Sequence, residues 1–124
     1  MTRVLSYGEA LVDFLPDRAG VPLREVSSFR KTVGGAPANV AVGLARLGCD
    51  VALLGKVGAD EFGHYLLEEL TREGVDVGAM QQTTQAKTGI TFISLTAEGD
   101  RSFLFFREPS ADMTVNCRSN GVLR

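Results

Sequence analysis

The feature that most constrains the fold is an alternation of short apolar segments with two segments of helical length. Val51 to Val57 is an apolar run with glycines on both sides, which is typical of an interior parallel strand. One predicted helix, residues 36–47, precedes it, and another follows it between Asp60 and Gly74. Neighbouring parallel strands need crossovers of this kind. The order predicts a parallel α/β sheet in which Val51 to Val57 pairs with the first strand.

The two helical segments differ in their faces. Residues 36–47 follow Gly34-Gly35, carry Pro37 in the first turn and stop at Gly48, so both ends have the expected signals. Alanine and aliphatic side chains fill nearly every face of this segment, which predicts a helix buried on most sides. Residues 60–74 are amphipathic, with Asp60 as the expected N-cap. Their apolar line consists of Phe62, Leu66 and Leu70.

Two further segments are rich in strand-forming residues. Arg3 to Leu15 is predicted to be one strand with a bend at Gly8-Glu9, after which the chain makes an excursion over 14–33. Residues 88–107 are predicted to form a hairpin. We expect these two excursions to meet as a small second sheet. From residue 114 to 124 no periodic pattern is present, and this segment is predicted to be an unstructured tail.

Composition excludes several classes of protein. The 124 residues carry 13 Lys+Arg against 15 Asp+Glu and no basic run, which gives no basis for binding nucleic acid. The apolar stretches are too short to span a membrane, and residues 1–16 lack the features of a secretory signal. We therefore expect a cytoplasmic protein. Cys49 and Cys117 are far apart with no histidine nearby, so they are predicted to be plain thiols and no metal site is expected.

The most informative polar cluster precedes the apolar helix. Gly34-Gly35 lets a ligand approach the backbone closely, and Asn39 in the first helical turn can both donate and accept hydrogen bonds. A polyhydroxylated ligand suits this arrangement, although a plain tight loop is an equally good interpretation. No catalytic triad or nucleotide-binding glycine motif is present, and the single histidine, His64, lies on the amphipathic helix.

Three more residues extend this cluster. Asp13 lies near the end of the first strand and can accept two hydroxyl groups, or it can cap the turn before Pro16. Arg107 ends the strand that carries Phe105; alternatively, Arg107 only lies along an exposed edge and Phe105 only packs in a sheet core. If the strand end, helix start and hairpin end converge, these residues line one cleft.

Four blocks carry a more specific signal than any single residue. They are Gly8-Glu-Ala-Leu-Val-Asp13-Phe-Leu-Pro16, Val33-Gly-Gly-Ala-Pro-Ala-Asn39-Val-Ala-Val-Gly-Leu-Ala-Arg-Leu-Gly48, Gly55-Lys-Val-Gly-Ala-Asp60-Glu-Phe-Gly63 and Phe103-Leu-Phe-Phe-Arg107-Glu-Pro-Ser110-Ala-Asp112. In this order they closely resemble fructokinases of the ribokinase-like (PfkB) carbohydrate kinase family. They cover most of residues 3–113.

The resemblance implies a ribokinase-like, doubly wound, mostly parallel α/β sheet with a small β lid formed near 14–33 and 88–107. It also implies ATP-dependent phosphorylation of a sugar hydroxyl, with Mg²⁺ bridging the nucleotide phosphates. Carried over position by position, the sugar-binding residues are Asp13, Gly34, Gly35, Asn39, Phe105 and Arg107.

The family's catalytic aspartate lies in a downstream Gly-Ala-Gly-Asp segment. Here Gly58-Ala59-Asp60 falls in a block that the family uses as a helix cap, and the similarity stops at Met113. We therefore interpret 1–113 as the N-terminal part of such a kinase domain, a fragment without the catalytic aspartate, the ATP site or the Mg²⁺ ligands. We expect the chain alone to be inactive.

Two functional hypotheses follow from these features. The first is the sugar-binding part of a fructokinase-like kinase, with fructose favoured by the resemblance and ribose, 2-keto-3-deoxygluconate or a nucleoside as alternatives. The second is a non-catalytic sugar-binding or regulatory module. In such a module, the lid strands that carry Phe103 and Phe105 pair with a second copy or a full-length kinase.

Overall fold

The computed structural model describes residues 2–116. Its strands are β1 (Arg3–Tyr7), β2 (Leu11–Pro16), β3 (Phe29–Gly34), β4 (Asp50–Leu54), β5 (Lys56–Gly58), β6 (Gln81–Thr83), β7 (Ile90–Leu95) and β8 (Arg101–Phe106). Its helices are α1 (Ala36–Arg46) and α2 (Glu61–Arg72), with short 3₁₀ turns at Leu23–Glu25 and Ala111–Thr114.

The predicted pairing of the apolar run with the first strand is confirmed. β1 and β4 are parallel, with Val4 opposite Val51, and α1 forms the crossover between them. The apolar run itself divides at Gly55 into β4 and β5, and β5 pairs in parallel with β6. After α2, the chain returns to β4 through an isolated parallel bridge between Ala52 and Asp76.

The four-stranded sheet has the order β3-β2-β7-β8, and the excursions 14–33 and 88–107 both lie in it. β2 pairs antiparallel with β3 and parallel with β7. The prediction of one bent strand over Arg3 to Leu15 is wrong, because β1 and β2 belong to different sheets. Gly8 adopts a φ of 139° between them, a conformation that side chains disfavour, and the chain changes sheets there. Asp13 consequently lies within the four-stranded sheet.

The core forms where these layers meet. Its fully buried members come from β2, from both helices and from β4 and β5, and include Val12, Ala38, Ala41, Leu53, Val57, Leu66 and Leu70. On one face of the four-stranded sheet, phenylalanine rings form a continuous chain. The ring of Phe62 on α2 contacts Phe14 at a centroid distance of 5.6 Å, Phe14 stacks on Phe92 at 4.9 Å, and Phe92 meets Phe106 at 5.9 Å.

The prediction that α1 is buried on most sides is wrong. Only Ala38 and Ala41 are buried, and they face the sheet side of the helix. Val40 is exposed, and Leu47, just after the helix, is 82% exposed. α1 packs mainly on β1, β3 and β4, and Arg46 at its end pairs with Glu73 just after α2.

The amphipathic helix α2 begins as predicted, with Asp60 as its N-cap. The Asp60 carboxylate accepts hydrogen bonds from the Gly63 amide at 2.8 Å and from the amide and hydroxyl of Thr88 at 3.0 and 2.8 Å. Partial burial acts to raise the pKa of Asp60, but these hydrogen bonds outweigh it and the pKa is lowered. Asp60 therefore connects the start of α2 to the residue before β7.

The segment predicted to be unstructured is described only as far as Asn116. Thr114 closes the last 3₁₀ turn, and its carbonyl accepts a hydrogen bond from Lys56 Nζ at 2.6 Å. The amide of Asn116 donates to Gln81 Oε1 at 3.1 Å. These contacts hold 114–116 against β5 and β6, in contrast to the prediction, whereas 117–124, including Cys117, lie outside the described residues.

The predictions from composition also concerned the cysteines and membrane spans. Cys49 is an exposed free thiol. Within residues 2–116, neither helix has the length and apolar character needed to cross a bilayer.

We predict that Leu47→Lys leaves the free energy of unfolding nearly unchanged and reduces self-association. The side chain is already exposed, and a cation near the end of a helix interacts favourably with its dipole. The matched change in the core, Leu66→Ala, should lower the free energy of unfolding by about 2–5 kcal/mol. Urea unfolding and light scattering measure both effects. A large stability loss in Leu47→Lys would show that this side chain is covered.

Candidate functional site

One row of side chains crosses the four-stranded sheet. Thr32 on β3 is opposite Asp13 on β2, Asp13 is opposite Thr91 on β7, and Thr91 is opposite Phe105 on β8. Residues that are direct neighbours across strands point to the same side of a sheet. A carboxylate, two hydroxyl groups and an aromatic ring therefore share one face, opposite the chain of phenylalanine rings. We refer to this side as the polar face.

Asp13 is half-buried on the polar face. Burial raises the pKa of its carboxyl group, and the positive charge of Arg101 only partly offsets this effect. Within residues 2–116 no group donates a hydrogen bond to the Asp13 carboxylate in this structure. The carboxylate is therefore an available acceptor for donors from a ligand.

Gly34 lies directly against Asp13. A Cβ atom built on Gly34 would lie 2.3 Å from Asp13 Oδ1, so only glycine allows the carboxylate to occupy this place. Gly35 is the N-cap of α1 with a φ of 97°, and its backbone packs against the carbonyl oxygen of Glu9. Asp13 is thus in direct contact with Gly34, whereas Gly35 contacts Glu9.

Asn39 lies in the first part of α1, where its amide donates to the Gly35 carbonyl at 2.9 Å. Its exposed side chain lines a cavity of about 330 Å³ between α1, α2 and β3, which Thr32 and Tyr65 also line. Thr32 lines this cavity together with Asn39 and is also the cross-strand neighbour of Asp13. Among the described contacts, none joins Asn39 directly to Asp13.

Phe105 is half-exposed and stacks on Phe103 at a centroid distance of 5.7 Å. Arg107 follows it by two residues, just after β8, and the strand alternation brings it to the polar face as well. Its guanidinium forms an ion pair with Asp112, whose side chain is buried. Asp13 and Gly34 are thus in direct contact, whereas Phe105 lies two strands away from Asp13, beyond Thr91 on β7, and Arg107 follows just after β8.

Two groups of this site were not predicted as such. Thr91 is 1% exposed, and its hydroxyl has no hydrogen-bond partner among residues 2–116. In the sequence, Asp112 is only the last residue of the fourth block. The sequence signal for Thr91 is a single threonine within Ile-Thr-Phe-Ile. In a strand, its side chain points to the other face from its two neighbours, Ile90 and Phe92.

The described residues do not fit ATP with Mg²⁺. Across residues 2–116 no three His, Cys, Asp or Glu side chains are placed to hold a metal ion. The start of α2 is occupied by the Asp60 carboxylate, which repels phosphate, and the start of α1 is closed against the Glu9 carbonyl. What the polar face offers is one carboxylate, hydroxyl groups, guanidinium N–H groups and aromatic rings. This set suits the hydroxyl groups of a small polar molecule.

Comparison with known proteins identifies the family of the chain. Residues 1–122 match the family described as pfkB family carbohydrate kinase. Probable fructokinase-7 of Arabidopsis thaliana is 51% identical over 114 residues, which is 92% of this chain and 33% of that protein. The chain thus spans about a third of the length of the curated relatives it matches.

Solved structures give the same result for the fold. A sugar kinase from Pyrococcus horikoshii, crystallised with ATP, matches with a TM-score of 0.81 at 43% identity, over 88% of this chain and 35% of that one. A putative ribokinase II from E. coli matches with a TM-score of 0.84 at 28% identity, over 91% and 37%. The fold is therefore a partial ribokinase-like α/β fold, as the sequence predicted. The chain belongs to the pfkB family of carbohydrate kinases.

We predict that Gly34→Ala displaces the Asp13 carboxylate and destabilises the protein by about 1–3 kcal/mol, because the added methyl overlaps Oδ1. Gly43→Ala is the matched control. Nothing lies within 4 Å of its added Cβ, and replacing a glycine in a helix by alanine should stabilise α1 by up to about 1 kcal/mol. Urea unfolding compares the two, and equal stability of Gly34→Ala and the unchanged protein would contradict the close contact.

The raised pKa of Asp13 predicts a dependence of stability on pH. Because the folded state favours the protonated carboxyl group, its stabilising contribution is fully present below pH 3.8 and is lost as pH rises through the raised pKa. Asp13→Asn removes this titration, so the variant should gain stability relative to the unchanged protein between acidic and neutral pH. Unfolding midpoints measured across that range test this expectation. A constant difference would mean that burial does not shift the pKa.

Proposed function

We propose that this chain provides the sugar-binding part of a fructokinase-type carbohydrate kinase. The observation that carries the proposal is the half-buried Asp13 carboxylate, held against Gly34 in a row with Thr91 and Phe105 and left without a donor from the described residues. A carboxylate of this kind can accept hydrogen bonds from two hydroxyl groups. The names of the relatives, fructokinases and sugar kinases, support the substrate class.

Each predicted residue has a role in this proposal. Asp13 accepts sugar hydroxyls, Gly34 and Gly35 leave room for the Asp13 carboxylate and the Glu9 carbonyl beside the start of α1, and Asn39 donates and accepts at that start. Phe105 and Arg107 cover the sugar from β8. Covering the ligand keeps water from competing with the sugar hydroxyl as the phosphate acceptor.

In this proposal the whole protein transfers a phosphoryl group from ATP to a sugar hydroxyl. That reaction needs a base aligned with the hydroxyl and support for the developing charge. The polar face is the proposed sugar subsite, whereas residues 2–116 hold no group of three His, Cys, Asp or Glu side chains placed to bind the metal. The 124-residue polypeptide alone is therefore expected to bind sugar without phosphorylating it.

Titration of the 124-residue polypeptide with fructose, followed by NMR or calorimetry, tests the proposal. Fructose should bind, and Asp13→Asn should weaken the affinity about tenfold, since a hydrogen bond to a charged group is lost. Asp17→Asn is a matched control on an exposed residue beyond β2. With ATP and Mg²⁺ present no sugar phosphate should form. Absence of fructose binding would overturn the sugar-binding role, and turnover would overturn the inactive state.

A second candidate function is favoured by β8. This strand is at the edge of the four-stranded sheet, all six of its residues are exposed, and it carries the stacked Phe103 and Phe105. Exposed edge strands are common sites of pairing between chains. The chain would then be a non-catalytic module that pairs with a second copy or with a full-length kinase. Light scattering on the titration samples tests self-pairing, because a monomer at all concentrations excludes it, and a pull-down with the intact kinase tests the other partner.

A further inference from the structure

Asp112 is the most completely buried acidic side chain of the polar-face region, with 1% of it exposed. Its two oxygens have different partners. Oδ1 accepts a hydrogen bond from the Ser110 hydroxyl, and Oδ2 accepts one from Arg107 Nη2. Both contacts are within the segment that follows β8, so this segment folds around its own carboxylate.

The carboxylate is also fixed against the start of β7. A Cβ built on Gly89 would lie 2.9 Å from Asp112 Oδ1 and 3.0 Å from Ser110 Oγ. The Gly89 carbonyl in turn accepts a hydrogen bond from the amide of Val12, the residue before Asp13. Asp112 is therefore held one backbone segment away from the strand that carries Asp13.

This arrangement engages only some of the N–H donors of Arg107. A guanidinium has five N–H donors in a fixed plane, and one nitrogen is engaged by Asp112. Its Nε is buried, and no acceptor for it exists among residues 2–116; the same holds for the Thr91 hydroxyl. A buried donor without a partner is unfavourable, so a ligand oxygen that reaches it gains affinity.

The charge of the pair limits which ligand oxygen fits. Arginine stays protonated in proteins, so Arg107 alone would attract anions. The buried Asp112 carboxylate cancels that charge, which leaves directed N–H donors with no net positive charge. Asp13 adds a negative charge on the same face and Arg101 a positive charge that acts on it, so the charges of Asp13, Arg101, Arg107 and Asp112 balance. Neutral hydroxyl or carbonyl oxygens are therefore favoured over carboxylates.

We propose that Asp112 is a positioning residue that also determines specificity: it holds Arg107 at the polar face and neutralises it, so that the site binds a neutral sugar and rejects a sugar acid. The inference rests on the proposed function, since it concerns the ligand class of the same site. It predicts that removing the charge at position 112 changes ligand preference and not only affinity.

Asp112→Asn in the 124-residue polypeptide tests this proposal. Kd values for fructose, a neutral sugar, and for gluconate, a sugar acid of similar size, are measured by NMR titration. The variant should bind fructose about tenfold more weakly and gluconate about tenfold more tightly, because Arg107 is loosened and its charge uncovered. Asp112→Glu, which keeps the charge, should retain the preference for fructose. Equal losses for both ligands in Asp112→Asn would mean a purely structural role and overturn the proposal.

Two further variants complete the experiment: one is a matched control, and the other is used if Asp112→Asn does not fold. Asp50→Asn breaks an exposed ion pair with Arg3 far from the site and should change neither Kd. If Asp112→Asn fails to fold, Ser110→Ala takes its place, because it removes one hydrogen bond to Asp112 and keeps the charge. Weaker fructose binding with an unchanged preference supports positioning, and unchanged fructose binding overturns it.

Failure of the proposed function gives a separate result. If the unchanged polypeptide binds neither ligand, the sugar-binding proposal fails on its own. The positioning of Arg107 is then decided by the NMR signal of its Nε–H group, assigned by its disappearance in Arg107→Lys. Faster solvent exchange of this proton in Asp112→Asn, and not in Asp50→Asn, supports positioning. An unchanged exchange rate overturns it.

Discussion

The architecture depends on a close backbone contact between the β1–β2 connection and the start of α1. At Gly8 the chain leaves the parallel sheet, and a Cβ there would lie 2.5 Å from Pro37 Cγ. At Gly35 a Cβ would lie 2.4 Å from the Glu9 carbonyl oxygen. Both approaches are possible only without side chains. This contact fixes the four-stranded sheet relative to α1, and thereby places Asp13 beside Gly34.

The charged groups of the polar face have different surroundings. Asp13 keeps a carboxylate with no hydrogen-bonding cation beside it among the described residues, while Arg107 is neutralised by a buried partner. Burial opposes the charge on Asp13, so this group is maintained at some cost to stability. Such an arrangement is common where binding rather than stability determines the residue. It gives the face hydrogen-bonding groups whose charges largely balance, since Arg101 acts on Asp13 and Asp112 pairs with Arg107.

Much of the fold could be predicted from the sequence because it follows from local patterns. The alternation of apolar runs and helices, the Asp60 cap and the glycine pair before α1 all act within a few residues. The change of sheet at Gly8 could not be predicted, since strand-forming residues continue on both sides of it and do not specify their partner. For the same reason, the apolar pattern of residues 36–47 predicted a helix correctly but gave no information about what covers it. Contacts made across distant strands decide both.

The site shows the same division. Asp13 and Gly34 could be singled out from the sequence, because a carboxylate near a predicted strand end and a glycine pair before a helix are local signals. The structure places the two residues in contact. Thr91 and Asp112 could not, because a lone threonine in a strand and an aspartate after a turn are ordinary on their own. Their importance arises from the register that puts Thr91 between Asp13 and Phe105, and from the fold of residues 108–112 beneath β7. The sugar contacts of all these residues remain a prediction.

The chain of phenylalanine rings behind the polar face has a mechanical consequence. Edge-to-face and stacked contacts run from Phe62 through Phe14 and Phe92 to Phe106, and so join α2 to three strands of the sheet. Such interlocked rings resist sliding and bending. We therefore expect the sheet to resist bending, so that any tightening around a bound molecule comes from the connections at its margins.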